Sequence, residues 1–131
     1  MIAKFQNFHK TDIPYITLDV QGIPLNLIVD TGCGISIISR QAAKKLSFEE
    51  SPRKISLSAL TSDSLKEPAV VVIPITVDNR QVYEDFVVYD NNDIANFQSN
   101  YGITIHGLLG NEFFQNTDCK IDYNNHTVTM Y

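Results

Sequence analysis

The sequence predicts a mostly β fold with closed or orthogonally packed sheets, and three observations carry that expectation. Runs rich in β-branched and aromatic residues recur along the chain, the polar stretches between them are mostly short, and helical spacing is confined to brief segments. Strands joined by short turns favour a closed or crossed all-β arrangement over βαβ units. With 131 residues the chain is one domain's worth, residues 1–131, long enough to bury a core without disulfide or metal staples.

The elements follow in order. Residues 1–12 form an N-terminal segment with no assigned element. "PYITLDV" from Pro14 alternates, with Ile16, Leu18 and Val20 on one face, as a half-buried strand does. "QGIP" turns the chain, and "LNLIVD" is apolar on nearly both sides, so the two runs form a hairpin whose second strand lies deeper. "ISRQAAKKL" carries Ile38, Ala42 and Leu46 at helical spacing with Lys44 and Lys45 late in the run, which predicts a short helix capped near Ser39. Three further β-rich runs are "KISLSAL", "EPAVVVIPITV" and "QVYEDFVVYD", and Pro74 places the second at an edge or a bulge. Residues 91–102, polar and Asn-rich, read as a long surface loop. "ITIHGLLGNEFFQN" is an apolar run into a glycine followed by helical turns, and "CKIDYNNHTVTMY" is two alternating runs about an Asn-Asn turn. No repeat or low-complexity segment interrupts the chain.

Charge and motif content exclude several functions. A net charge of -5 with scattered lysines and arginines leaves no basic stripe for phosphates, so no nucleic acid partner is expected. No apolar stretch reaches membrane length and "MIAKFQNFHK" lacks the order of a signal peptide, so a cytoplasmic protein without membrane contact is expected. Cys33 and Cys119 have no metal spacing and read as free thiols. His9, His106 and His126 have no ligand spacing either, so neither metal nor cofactor is expected. "GCGISI" lacks the third glycine of a dinucleotide loop, there is no Gly-x-Ser-x-Gly, and "NHT" is a glycosylation sequon by spelling only.

One stretch stands out. "LNLIVDTGCGISII" ends an apolar strand in Asp30 and follows it with Thr31 and Gly32. A plain turn would use the Asp side chain to bond the backbone two residues on. Here, however, core-like residues flank the tripeptide on both sides, and a carboxylate held there needs donors. This arrangement resembles the retropepsin-like aspartic proteases. The hairpin "PYITLDVQGIPLNLIVDTG", the helix "SRQAAKKL", the flap-like "ISLSALTSDSLKEPAVV" and the late "GLLGNEFF" appear in that family's order and cover most of the chain.

The resemblance implies a closed β-barrel with short helices, acting as a homodimer on a peptide or protein substrate. It makes Asp30 the catalytic carboxylate, has Thr31 bond across to the partner's main chain, and gives Gly32 an N–H for the carboxylate. Leu108, Leu109 and Gly110 would pack beneath the site, and Leu60, Thr61, Ser62 and Asp63 would form the flap. Peptide hydrolysis by water needs one carboxylate to accept a proton and another, protonated, to polarise the carbonyl. Two carboxyls about 3 Å apart share a proton because they cannot both ionise easily. The chain has a single Asp-Thr-Gly, so a homodimer supplies the second.

Three features depart from the family pattern. Cys33 stands where Ala or Ser is usual, the flap run has no glycine, and Asn111 and Glu112 replace the Arg and the Asp or Asn of viral members. The alternative reading is a noncatalytic dimerisation or peptide-binding module on the same fold.

Overall fold

The computed structural model describes residues 1–46, 50–51 and 69–131. The expected flap, Leu60, Thr61, Ser62 and Asp63, and the run "KISLSAL" lie outside these described residues. The chain runs β1 (Ile2–Lys4), α1 (Phe8–Thr11), β2 (Tyr15–Val20), β3 (Ile23–Val29), β4 (Ser36–Ile38), α2 (Arg40–Lys45), β5 (Glu50–Ser51), β6 (Val70–Val77), β7 (Arg80–Val88), α3 (Asn92–Tyr101), β8 (Gly107–Leu109), α4 (Asn111–Asn116), β9 (Lys120–Asp122) and β10 (Thr127–Thr129). Strands dominate and helices are short.

The described strands form a three-stranded sheet, β1-β10-β9, and a seven-stranded sheet, β2-β3-β8-β4-β7-β6-β5. Hairpins join β2 to β3, β6 to β7 and β9 to β10, where the sequence places its short turns. Two pairs are different. β3 and β8 are parallel, as are β4 and β7, and β8 is inserted between β3 and β4. The seven strands keep an open order with β2 and β5 at its ends, and β2 packs against β6, so they make a folded-over half-barrel where a closed barrel was expected. Pro74 sits within β6 opposite Tyr83 of β7, and the described part of β5 pairs with β6 at Val70 and Val71. Ser39 caps α2 as expected, its hydroxyl accepting the Ala42 N–H at 3.1 Å.

The seven-stranded sheet is buried on one face and, over its middle, on the other as well. One face joins Ile16, Leu18, Leu25, Leu27, Ile73 and Phe86 in the larger core, together with Val128 and Met130 from the end of the chain. The other face buries Tyr15, Ile28, Ile37, Val87 and Leu108 beneath Ile94 and Phe97. Those last two belong to α3, and this corrects the expected loop at 91–102. The segment's apolar residues Ile94, Phe97 and Tyr101 lie three and four apart on one helical face, so the count of asparagines hides an amphipathic helix. Asn91 caps its start by accepting the Asp93 N–H at 2.7 Å, and Gly102, at φ 67°, ends it in the left-handed region that glycine enters without strain. Asparagine suits a cap as well as a loop, which is why composition misled.

Phe97 anchors this layer, edge-on to Tyr15 with ring centroids 5.4 Å apart. Phe97→Ala is expected to lower stability by about 3–5 kcal/mol, read as a reduced urea midpoint. Stability also carries a pH dependence through His106. Its Nδ1 accepts the Asn26 N–H at 3.0 Å, and burial, aided by the Lys45 ammonium, holds its pKa below the ordinary 6.5. The unfolded chain therefore takes up this proton at higher pH than the folded one. The contribution is complete above about pH 6.5 and is lost as pH falls from there through the lowered value. His106→Asn is expected to flatten this part of the stability curve, measured by urea unfolding at neutral and mildly acid pH.

Candidate active site

The site is built where β3 stops. Beyond Val29 the chain cannot continue alongside β8, because β8 itself ends at Leu109, so residues 30–35 loop over its end and re-enter the sheet as β4. The Asp30 N–H donates to the Leu109 carbonyl at 3.0 Å, the last rung beyond the β3–β8 pairing. The loop then closes as a turn, with the Cys33 N–H on the Asp30 carbonyl at 3.2 Å and the Gly32 N–H on Asp30 Oδ1 at 3.1 Å. Asp30 is half-buried, while Thr31 and Gly32 are exposed. The carboxylate is thus fixed by its own turn and still reachable from solvent.

The start of α4 meets this loop from below. A helix leaves its first N–H groups without intrahelical partners. Here the loop accepts them: Gly110 donates to Ser36 Oγ at 3.0 Å, Asn111 to the Cys33 carbonyl at 2.7 Å and Glu112 to the Gly34 carbonyl at 3.3 Å. Asn111 and Glu112 therefore enter the site through their backbones, and their side chains are exposed. Gly110 is required by close approach, since a Cβ there would lie 2.4 Å from the Ile35 carbonyl and 2.9 Å from that of Cys33. Leu108 and Leu109 are buried on opposite faces of β8, one in each core. Thr31 lines a shallow groove with Asn111, Phe114, Gln115, Asp118, Cys119 and Ile121, walled by α4 and β9.

The thiols do not suit nucleophilic chemistry. Burial, reinforced by the nearby Asp30 carboxylate, raises the Cys33 pKa, and its Sγ donates to the Ile35 carbonyl at 3.1 Å. Burial pushes Cys119 up to about 11. Neither is therefore appreciably ionised at neutral pH. Among the described residues no three His, Cys, Asp or Glu side chains gather as a metal site, and no helix is long and apolar enough to cross a membrane.

Hydrogen bonds join Asp30, Gly32 and Leu109 directly, Gly110 is tied to Ser36 at the end of the same loop, and Thr31 lies exposed between Asp30 and Gly32. Sequence reasoning missed Ser36 and Glu84, which are buried beside it and bonded to one another at 2.9 Å. The signal was present in β7, where Val82, Glu84, Phe86 and Val88 share a face and place an acid at a core position.

Comparison with known proteins agrees with this geometry. The family model for aspartyl proteases matches residues 16–113, and the chain belongs to that family, with the retropepsin-like fold. A retropepsin-like aspartic protease from Rickettsia conorii superposes with a TM-score of 0.58 at 16% identity, covering 98% of this chain and 86% of that one. The retroviral protease-like domain of Ddi1 from Leishmania major gives 0.57 at 12%, covering 88% and 86%. EIAV protease in complex with the inhibitor HBY-793 gives 0.54 at 15%, covering 85% and 93%. Among curated proteins no sequence matches.

Gly110→Ala is expected to separate α4 from the Asp30 loop, because the added methyl meets backbone that cannot swing away. A loss of about 1–3 kcal/mol in urea unfolding is the expected outcome.

Proposed function

We propose that the chain is an aspartic endopeptidase that works as a symmetric homodimer, each protomer contributing one barrel lobe and one Asp30. The observation that carries this reading is the Asp30 carboxylate itself, half-buried, bonded by the Gly32 N–H and held in a loop tied to Leu109 and α4. Such a carboxylate is preorganised without being sealed from water. One of it per chain is insufficient for the chemistry, and the chain has one Asp-Thr-Gly.

In the dimer two Asp30 carboxyls face each other across the two-fold axis and share one proton. The ionised one takes a proton from a water lying between them, and the protonated one gives its proton to the scissile carbonyl oxygen as the water oxygen attacks the carbon. The resulting tetrahedral diol collapses when the Asp30 that took the water's proton gives it to the leaving nitrogen, a diol hydroxyl gives its proton to the other Asp30, and the C–N bond breaks to leave a carboxylic acid and an amine, which returns the pair to one shared proton. Thr31, which is exposed, would bond the partner's main chain and seat the two loops against each other. Leu60, Thr61, Ser62 and Asp63 would cover the bound peptide as a flap. Leu108, Leu109 and Gly110 support the loop from below, and no cofactor is called for.

Asp30→Asn is expected to lower cleavage of a peptide library at acid pH by roughly 10²–10⁴-fold while leaving the circular dichroism spectrum unchanged. Titrating wild-type protein with an excess of the variant should depress activity further than dilution does, because mixed dimers hold only one ionisable carboxyl. Activity that is indifferent to the variant would mean the site lies within one chain or elsewhere. A stable dimer with no cleavage would favour the noncatalytic use of the fold.

A further inference from the structure

Glu84 is an acid where the strand pattern calls for a core residue. It lies on the inward face of β7 between Val82 and Phe86, opposite Ile73 of β6, and is 2% exposed. A carboxylate in such a place is costly unless it accepts hydrogen bonds. One comes from β4, which runs parallel to β7: the Ser36 hydroxyl, itself 1% exposed, donates to Glu84 Oε2 at 2.9 Å. The same Ser36 oxygen accepts the Gly110 N–H at 3.0 Å. A hydroxyl has one proton, and when its oxygen receives an N–H that proton must point to another acceptor. Glu84 is that acceptor.

The relay ends at the Asp30 loop. Gly110 is the N-cap of α4, and the residue before it supplies the carbonyl that receives the Asp30 N–H. We propose that Glu84 is a positioning residue for the Asp30 site: its carboxylate orients the Ser36 hydroxyl, which holds Gly110 and so sets residues 109–112 beneath the Asp30 turn. The proposal rests on the reading of Asp30 as the catalytic carboxylate, and Glu84 never touches substrate. Glu84 also has an interaction besides the one with Ser36, so truncating it alone would mix two effects. A cycle with Ser36 isolates the shared one.

The experiment measures kcat and KM for Ser36→Ala, Glu84→Leu, Glu84→Gln and the Ser36→Ala/Glu84→Leu double variant, with hydrogen exchange at the Gly110 amide. Ser36→Ala and Glu84→Leu should each lower kcat by about tenfold to a hundredfold, as small misplacements of a reacting group do. KM should stay within about threefold of wild type. The double variant should fall no further than the singles, and Glu84→Gln, whose amide oxygen still accepts the hydroxyl, should recover most of the loss. The Gly110 amide should exchange faster in Glu84→Leu while amides of the β2–β3 hairpin keep their protection. Additive losses, an equal deficit in Glu84→Gln, or an unchanged Gly110 amide would each overturn the proposal. The amide measurement needs no turnover, so it separates the two ideas. A wild-type chain that does not cleave, with Asp30→Asn silent, defeats the protease reading alone. A cleaving enzyme with Gly110 indifferent to Glu84 defeats this one.

Discussion

The structure depends on two pieces of backbone satisfying each other. The loop after β3 has carbonyls that no strand pairs, and α4 begins with N–H groups that no helical turn can use. Setting the loop across the helix start resolves both shortages, with Cys33 and Gly34 accepting from Asn111 and Glu112. The two segments lie about eighty residues apart in sequence, and β8 is what brings them together by entering the sheet between β3 and β4. Removing either partner would leave the other's backbone groups without their protein partners. The Asp30 carboxylate inherits its position from that arrangement, because its backbone N–H is held by Leu109 in the same unit.

Inserting β8 also explains the composition of the strands around it. Parallel pairs such as β3–β8 and β4–β7 lie in the middle of the sheet and are covered on both faces, so they read as continuous apolar runs: Leu27 to Val29, Ile37 and Ile38, Leu108 and Leu109. Two covered faces need two covers. The larger core lies on one face, and α3 closes the other through Ile94 and Phe97. The same logic marks Glu84 as an exception. It interrupts an otherwise apolar inward row, and the Ser36 hydroxyl beside it links that row to the Asp30 loop.

Much of this was legible because the deciding forces are local. The β2–β3 hairpin follows from period-two alternation about a turn, the Ser39 cap from a hydroxyl placed before a helical repeat, and the terminal hairpin from two short runs about adjacent asparagines. The Asp30 stretch was legible for a related reason, since an acid between two apolar runs is rare enough to raise the question of what holds it. Segment 91–102 was not legible from composition. Its helix is weakly hydrophobic on average and is selected by what it covers, an apolar sheet face supplied by distant residues. The meaning of Asn111 and Glu112 also changed, because their contribution is made by N–H groups that any non-proline residue would carry.

By itself the sequence determined the strand-rich class, the hairpins, the short capped helix and the Asp-Thr-Gly as the place where chemistry would be sought. Each depends on neighbours within a few residues, through periodicity, turn geometry or side-chain capping. Only the tertiary structure decided that β8 would divide β3 from β4, that α3 would cover the second face, and that Ser36 and Glu84 would stand behind Gly110. Those outcomes turn on pairing between segments far apart in the chain. Residue identity along one strand states which groups seek partners, but the partner is chosen by the sheet order that satisfies all of them together.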